Sequence, residues 1–276
     1  MTIATLNDVL QPAVSGHYAL AGLVVLGWED ARAFVEAADE TGIPIILQAG
    51  PGCRKYTPVS ILGKMFRTLA EQARVPVVCH IDHAHTQAEC EEGIDCGFTS
   101  VMIDGSKLEI GENIALTASV VELAHRAGVS VEGEVGVVGY VGSAASAMTL
   151  PDEARRFDQE SGADALAVSV GNVHLSTEKT YGIDFEVLRA IEAVTRMPLV
   201  LHGGSGIPPA IRRQLARQTR VKKFNIGTEL RMAFGKALRK SLADHPDSFD
   251  RIELLKATIP AIREEAAYVL RGLKAD

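Results

Sequence analysis

The stretch that decides the fold is VPVVCHIDHAH, residues 75–85. It begins as a short run of apolar, largely β-branched residues and ends in a cluster of polar residues. A parallel strand that helices cover on both faces of its sheet has this continuous apolar character. We therefore predict a buried parallel strand over residues 75–82, with chemically reactive side chains at its carboxyl end.

Other short apolar runs in the chain have the same form, and segments with helical spacing separate them. One such segment, WEDARAFVEAADETG, ends at Gly42, and another, NIALTASVVELAHRAG, ends at Gly128. Regular alternation of strands and helices predicts a parallel sheet. The other predicted strands are AGLVVL (21–26), IPIILQA (43–49), TSVMID (99–104), SVEGEV (130–135), ALAVSV (165–170), PLVLHG (198–203) and KKFNIG (222–227).

The number of strand–helix units favours a closed barrel over an open, doubly wound sheet. The chain has 276 residues, a length that suits eight units in one barrel domain. Polar and Gly-rich residues directly follow most of the predicted strands, and barrel enzymes build their sites at the carboxyl ends of the strands. We predict an α/β fold of the (β/α)8 TIM barrel type, as one domain over residues 1–276 with a helical extension after residue 229.

Composition excludes several classes of protein. The formal net charge is −7 and no basic stripe is present, so nucleic acid and anionic membranes are not expected partners. No apolar run reaches the ~20 residues that span a bilayer, and the opening MTIATLNDVLQPA lacks a signal-peptide pattern. We expect a cytoplasmic protein. The cysteines Cys53, Cys79, Cys90 and Cys96 show no CxxC spacing, so we expect buried thiols and no disulfides.

Three histidines lie just beyond predicted strands that are far apart in the chain: His83, His174 and His202. A closed barrel brings such positions together. A single histidine at a strand end is more often a structural hydrogen-bonding residue, whereas three at one barrel mouth favour a metal site. Neutral imidazoles are common zinc ligands, and three of them leave a fourth position open for substrate. The pattern alone leaves both interpretations open.

Asp82, directly before His83, has two possible roles. A carboxylate beside a metal-activated substrate can act as a general acid or base. Alternatively, Asp82 or Thr86 caps the helix that follows.

Two Gly-rich turns follow the last two predicted strands, HGGSG (202–206) and NIGTE (225–229). Their backbone N–H groups, together with Ser205 and Thr228, can bind a phosphate group. Barrel enzymes frequently bind phosphate at the loops after these two strands.

Acidic residues also collect at the predicted barrel mouth. Glu132 and Glu134 are two residues apart, so they share one face of their strand. Two acids inside a barrel need a second cation, a lysine or hydrogen bonds to satisfy them. Asp104 and Glu134 could hold an auxiliary cation, or Asp104 could form an ion pair with Lys107.

The chain resembles the class II, metal-dependent fructose-bisphosphate aldolase family over nearly its whole length. The matching stretches, in family order, are VCHIDHAHTQAECEEGIDCGFTSVMIDGS, SVEGEVG, AVSVGNVH, PLVLHGGSGIP and KKFNIGTEL. The resemblance implies that Asp82 transfers protons and that one catalytic Zn2+ is bound by three histidines. The implied residues are His83, His174 and His202 for zinc, Asp104 and Glu134 for a second or displaced cation, and Gly203, Gly204, Ser205, Asn225, Gly227 and Thr228 for the dihydroxyacetone phosphate portion of the substrate.

The implied activity is reversible cleavage of a phosphorylated ketose to dihydroxyacetone phosphate and an aldehyde. The metal ion polarises the ketose carbonyl, and Asp82 exchanges a proton with the C4 hydroxyl as the C3–C4 bond breaks. Tyr140 or water protonates the remaining three-carbon fragment. The resemblance also implies a homodimer or homotetramer, and an arginine near the C-terminus, loosely matched by Arg251, that reaches a second phosphate.

The chain departs from the family pattern in loops that would contact the part of the substrate away from the implied phosphate site. It also departs in the loop after the fifth strand. These departures favour two alternatives: a different ketose, such as tagatose bisphosphate, a ketose monophosphate or another ketose acid, or a non-catalytic sugar-phosphate-binding subunit. Retention of Asp82 argues against the second, since a binding protein needs no general base. The departures are LVVLGWED (23–30) without Asn, Gly50 in place of Ser, Leu175 in place of Gly, a displaced Lys179, and the loop VVGYVGSAASAMT (137–149) without an acid.

Overall fold

A computed structural model of the protein describes residues 2–139, 146–177 and 182–274. Its strands are β1 (Ile3–Ala4), β2 (Leu20–Val24), β3 (Ile45–Ala49), β4 (Val77–Ala84), β5 (Ser100–Ile103), β6 (Ser130–Val135), β7 (Ala165–Val168), β8 (Leu199–Leu201) and β9 (Val221–Ile226). Its α-helices are α1 (Leu6–Gly16), α2 (Trp28–Thr41), α3 (Pro51–Tyr56), α4 (Val59–Gln72), α5 (Gln87–Asp95), α6 (Ile110–Arg126), α7 (Pro151–Glu160), α8 (Phe185–Glu192), α9 (Pro209–Gln218), α10 (Thr228–Asp244), α11 (Arg251–Lys256) and α12 (Ile259–Leu273).

The eight strands β2 to β9 form a closed parallel barrel. Each pairs with the next in the chain, and β9 pairs back onto β2 through Leu20 with Lys223 and Gly22 with Asn225. Each predicted strand overlaps one barrel strand, with ends that differ by at most two residues. The predicted (β/α)8 TIM barrel is therefore confirmed, and the aliphatic side chains of its strands belong to one buried hydrophobic core.

The short strand β1 and helix α1 were not predicted. Thr5 caps α1: its hydroxyl accepts from Asp8 N at 3.3 Å, while the Asp8 carboxylate accepts from Thr5 N at 2.8 Å. The helix packs on β2, β6 and β9, and Asn7 N donates to Ser130 Oγ at the start of β6. It therefore covers the amino-terminal end of the barrel, away from the predicted site. The T-x-x-D spacing at its start was the available signal.

The segment after residue 229 is largely helical, in agreement with the sequence. The last helix, α12, packs along α2 and α10, and Arg271 Nη2 lies 2.7 Å from Glu40 Oε1. One continuous hydrophobic core runs from Ala4 to Leu273 and supports the single-domain assignment, which stays a prediction. No helix in the described ranges is long and apolar enough to cross a membrane.

The cysteines are free thiols, as predicted. Cys53, Cys79 and Cys90 are buried, and Cys96 is partly exposed. Burial raises the pKa of both Cys79 and Cys90 to about 12. These two thiols stay protonated at neutral pH and pack as small apolar side chains.

Strand β6 alternates between the barrel interior and the helix layer. Glu132 and Glu134 are fully buried, and Gly133 between them faces α7. A Cβ on Gly133 would lie 2.3 Å from Cζ of Phe157. The glycine therefore allows α7 to approach the strand that carries both acids.

We predict that Gly133→Ala lowers the free energy of unfolding by about 1–3 kcal/mol, because the added methyl group overpacks the Phe157 contact. Urea unfolding measures this change. Gly111→Ala, in the exposed first turn of α6 with no atom within 4 Å of its Cβ, is the matched control and should not destabilise. Phe157→Leu in the Gly133→Ala background should recover part of the loss. An unchanged unfolding midpoint in Gly133→Ala would contradict the tight packing.

Candidate active site

The three predicted histidines converge at the carboxyl-terminal end of the barrel. His83 lies in β4, His174 follows β7, and His202 follows β8. Ring centroids are 4.6 Å apart for His83 and His202, and 5.5 Å for each pair with His174. One nitrogen from each ring lies within 4.8 Å of the others, a group that could hold a metal ion. Nδ1 of His202 is buried and has no hydrogen-bond partner in the described structure, and a cation would satisfy it.

A kink at the end of β4 orients His83. Its φ is 51°, a left-handed conformation that side chains rarely adopt, and the register of β4 against β5 shifts after Ile81. The Arg54 guanidinium of α3 donates to the backbone oxygens of Ala49 at 2.6 Å and His83 at 3.0 Å, and also to that of Asp82. Arg54 thus joins the ends of β3 and β4 and holds the kinked backbone.

A close contact between the loops after β7 and β8 brings the other two histidines together. Gly203 has a φ of 65°, and a Cβ there would lie 2.0 Å from the carbonyl oxygen of Val173. Only glycine fits this position. Leu175, which replaces a family glycine, also has a positive φ, of 57°. This conformation costs about 1–2 kcal/mol for a residue with a side chain, and glycine would avoid the cost.

A buried network of charges lies beneath the histidines. Lys223 Nζ donates to Glu132 Oε2 at 2.7 Å, and His202 Nε2 lies 3.3 Å from Glu132 Oε1. His80, which was not predicted, contacts Ser100 Oγ through Nδ1 at 2.8 Å and has Nε2 3.9 Å from Glu132. With Nε2 donating to Glu132, His202 presents Nδ1 to the cluster, as a metal ligand requires.

Asp82 faces the same region and does not cap the next helix. Thr86 caps α5, since its hydroxyl accepts from Glu89 N at 3.3 Å. Asp82 is 6% exposed, and its Oδ1 accepts from Asn225 Nδ2 at 3.2 Å. Its Oδ2 lies 3.6 Å from the position of a Cβ on Gly50. The absence of the family's serine at Gly50 therefore leaves space directly beside the carboxylate.

The electrostatics of the cluster favour a positive charge at its centre. Burial alone would lower the pKa of His83, but the carboxylates of Asp82 and Asp104 outweigh it and raise that pKa to about 9. Burial lowers the pKa of His174 to about 4, and the charge of His83 adds to this effect. Burial would raise the pKa of Asp82, yet the neighbouring histidines hold it below its usual value. Asp82 is therefore ionised at neutral pH beside neutral His174.

A second group of possible ligands shares His83. Its Nδ1 lies 2.9 Å from Asp104 Oδ2 and 3.6 Å from Glu134 Oε2, and these three residues could also hold a metal ion. Burial raises the pKa of Glu134 to about 8. The alternative of an ion pair with Lys107 is wrong for the described structure: Lys107 is exposed, and Asp104 Oδ1 accepts from Ser106 Oγ at 2.6 Å.

The two Gly-rich turns meet beside the histidines. Ser205 Oγ accepts from Gly227 N at 3.3 Å and from Glu229 N at 3.4 Å, which connects the turns after β8 and β9. Gly204 is buried behind the turn, against Ile226. A cavity of about 290 Å³ opens here, lined among others by Asp82, His83, His174, Gly203, Ser205, Asn225, Gly227 and Thr228.

Some predicted residues are not part of this cavity. Arg251 begins α11, is exposed, and does not line it. Its contact with a second phosphate stays a prediction. The expected second acid, Tyr140, and the displaced Lys179 both lie outside the described residues.

Sequence reasoning missed several residues that shape the site, among them Arg54 and Lys223. Lys223 is a charged residue inside a predicted strand, at an inward position two residues from Asn225, and this was the available signal. Gly22 interrupts an apolar strand because Gln48 occupies its side-chain space: a Cβ there would lie 1.5 Å from Gln48 Oε1. A lone glycine in a strand indicates such a close approach.

The fold and the site together define a TIM-barrel enzyme with a candidate metal centre and a buried acid at the carboxyl ends of its strands. The chain belongs to the class II fructose-bisphosphate aldolase family, whose model matches residues 4–276. It is thus an aldolase, a carbon–carbon lyase.

Individual relatives agree with this assignment. The chain is 36% identical to the 6-phospho-5-dehydro-2-deoxy-D-gluconate aldolase of Bacillus licheniformis, over 98% of this chain and 94% of the relative. It is 36% identical to a probable fructose-bisphosphate aldolase of Bacillus subtilis, over 96% and 95% of the two chains. The crystal structure of the YdjI aldolase from Escherichia coli K12 superposes with a TM-score of 0.84 at 30% identity, over 98% and 97%.

We predict that Glu132→Gln weakens metal binding by about 10- to 100-fold, because the carboxylate that orients His202 is lost. Titration of metal-free protein with Zn2+ or Co2+ by calorimetry measures the affinity. Glu122→Gln, an exposed acid of α6, is the matched control. Unchanged affinity in a folded Glu132→Gln protein would show that Glu132 serves only to pair Lys223.

Proposed function

We propose that the protein is a metal-dependent aldolase that reversibly cleaves a phosphorylated ketose to dihydroxyacetone phosphate and an aldehyde. The observation that carries this proposal is the placement of Asp82, His83 and His174 in one cavity with two connected Gly-rich turns, with His202 buried directly against the other two histidines. A general base, a metal centre and a phosphate-binding site are the three components that such a reaction requires.

The donor set suits Zn2+. His83, His174 and His202 would hold the ion, since three imidazoles without a fourth protein ligand form a typical catalytic zinc site. A bound divalent ion supplies Lewis-acid stabilisation of the negative charge that develops on the substrate's carbonyl oxygen. Asp104 and Glu134, with His83, would hold a second cation or an alternative position of the first.

Asp82 would carry the proton transfer. As an ionised carboxylate it accepts the proton of the substrate's C4 hydroxyl when the C3–C4 bond breaks, and the new carbonyl leaves as the aldehyde. Asn225 orients the carboxylate through Oδ1, while Oδ2 faces the space beside Gly50. The electron pair of the broken bond stays on the three-carbon phosphate fragment, which the turns around Ser205 and Thr228 would hold. A proton from water or Tyr140 then adds to C3 of this fragment and gives dihydroxyacetone phosphate.

The native ketose is proposed only as a class. One relative is named for fructose bisphosphate and another for a phosphorylated dehydro-deoxygluconate. A fructose bisphosphate carries two phosphates, and a phosphorylated gluconate carries a phosphate and a carboxylate. Gly50 lies beside Asp82, and Val24 and Leu26 of the Asn-free run 23–30 line the same cavity; these departures from the family pattern favour a ketose other than fructose bisphosphate.

A non-catalytic sugar-phosphate-binding role is the second candidate. The loop acid that the family supplies is missing from residues 137–149, and this favours it. Buried, oriented Asp82 argues against it, because an ionised carboxylate that faces a sugar-phosphate cavity is costly without a chemical role.

A homodimer or homotetramer and a cytoplasmic location stay predictions. A groove of about 1170 Å³ runs between α10 and α12, with half-exposed Met232 and Tyr268 on its wall, and supports association between chains.

We predict that Asp82→Asn lowers kcat by about 10²- to 10⁴-fold in both cleavage and condensation, because the general base is lost. Coupled assays of ketose cleavage and of dihydroxyacetone phosphate consumption measure this effect. Zn2+ affinity should change less than the turnover does. Asp95→Asn, an exposed acid at the end of α5, is the matched control. Full turnover in Asp82→Asn would refute the assigned role.

Chelation is expected to remove activity in a way that added metal restores. Dialysis against a chelator should abolish turnover, and one equivalent of Zn2+ or Co2+ per chain should recover it, since the histidines of one chain complete the ligand set. Metal content by mass spectrometry and activity are measured on the same samples. Turnover that survives complete removal of metal would contradict the proposed mechanism.

A further inference from the structure

Arg231 is a basic residue in the wall of the active-site cavity whose role is not explained by the metal centre or the phosphate turns. It lies in the first turn of α10, three residues after Thr228. Asp82, Ser205 and Leu26 line the same cavity, and within the described lining Arg231 is the only arginine or lysine. The chain has a net charge of −7, so the positive side chain of Arg231 attracts an anion locally, against the overall charge of the protein.

The guanidinium has no protein partner in the described structure. Arg231 is half-buried and its Nε is buried without a hydrogen-bond partner, and among the described residues no carboxylate oxygen lies within 4.0 Å of the guanidinium. The charge of Arg231 interacts with Asp30 at a distance, but no hydrogen bond joins the two side chains. The Asp30 carboxylate accepts instead from Leu26 N at 2.9 Å and from Gly27 N at 3.2 Å. A partly buried guanidinium with no partner is unfavourable unless a ligand supplies the charge.

The surroundings of Arg231 are apolar and small. Val24, Leu26, Pro51 and Cys53 line the same cavity, and Cys53 lies near enough to Arg231 to interact with its charge. Gly227 leaves room beside the guanidinium, because a Cβ there would lie 3.2 Å from Val24 and 3.8 Å from Arg231 Nη2. This wall accepts an aliphatic segment with an anionic group at its end.

The position of Asp82 indicates which half of the substrate reaches this wall. Asp82 must face the C4 hydroxyl, and its Oδ2 lies beside Gly50. Gly50 is followed by Pro51, Gly52 and Cys53, which line the same cavity as Arg231, so carbons beyond C4 that pass the space beside Gly50 come within this shared lining. The dihydroxyacetone phosphate half, in contrast, lies toward the turns joined by Ser205.

We propose that Arg231 binds a second anionic group, a carboxylate or a phosphate, at the end of the aldehyde half of the substrate. This inference rests on the proposed aldolase function and adds to it a residue that determines specificity. Guanidinium groups bind carboxylate and phosphate oxygens through two parallel hydrogen bonds, so either anion fits.

The test is condensation of dihydroxyacetone phosphate with matched aldehydes by the zinc-loaded protein. Glyceraldehyde 3-phosphate is compared with glyceraldehyde, and succinate semialdehyde with butanal, in wild type and in Arg231→Met. We expect wild type to prefer one charged aldehyde over its neutral match. For that aldehyde, Arg231→Met should lower kcat/KM by about 10- to 100-fold. The charged aldehyde that wild type prefers identifies the anion as phosphate or carboxylate.

Controls separate this role from a general loss of activity. Neutral aldehydes and the KM of dihydroxyacetone phosphate should change less than about threefold, as expected for a contact made only with the distal anion. Arg231→Lys should keep part of the preference. Arg239→Met removes the same charge from an exposed position of α10 and should behave as wild type.

Two outcomes would overturn the inference alone: equal losses with charged and neutral aldehydes, or a raised KM for dihydroxyacetone phosphate with every aldehyde. The second would place Arg231 on the phosphate of the three-carbon half. A wild-type protein that condenses dihydroxyacetone phosphate with none of the aldehydes would instead refute the proposed function, and the inference with it.

Discussion

The parallel pairing of β9 with β2 is the constraint on which the site depends. Without this closure, the carboxyl ends of β4, β7 and β8 would lie along one edge of an open sheet, and their histidines would be spread over several strand widths. Closure turns that edge into a ring, where His83, His174 and His202 approach within a few ångströms of one another. The same pairing places Asn225 of β9 where it can contact Asp82 on the opposite side of the mouth.

Below the mouth, the barrel interior contains a buried ion pair that stability alone does not require. Glu132 and Lys223 are fully buried and bonded to each other. Removing one partner of such a pair typically costs about 3–5 kcal/mol, whereas two apolar residues could fill the space at little cost. The pair is explained by its contact with His202, whose ring it orients toward the histidine cluster. The buried residues in this part of the core therefore serve the geometry of the site more than the stability of the fold.

Backbone strain is concentrated at the same mouth. His83 and Leu175 both adopt positive φ values, and Gly203 does so where any side chain would collide with a neighbouring loop. His83 belongs to the histidine cluster, and Leu175 and Gly203 directly follow its other members, His174 and His202. Strain of this kind persists only when the surrounding structure holds it, and Arg54 provides that support at the end of β4. Among the described non-Gly residues, only His17 at the end of α1 also has a positive φ away from the mouth, where it ends the helix in the left-handed conformation.

Much of the fold and part of the site were determined by the sequence itself. Apolar runs of strand length, alternating with helical periodicity, specify eight parallel strands because burial on both faces leaves few other arrangements. The residues that follow those strands, such as Asp82 and His202, therefore mark the mouth of the barrel by their positions in the chain alone. By contrast, α1 carries only a weak capping signal in its sequence, and its place under the barrel follows from packing.

The remaining contacts were decided only by the tertiary structure, since they join residues distant in the chain. Local sequence contains no signal that Arg54 would bond the backbone of Asp82, and the inward position of Lys223 does not identify Glu132 as its partner. Nor does local sequence show that Arg231 would line the cavity without a partner. These arrangements depend on which side chains the closed barrel brings within hydrogen-bond distance, and that depends on the relative positions of all eight strands.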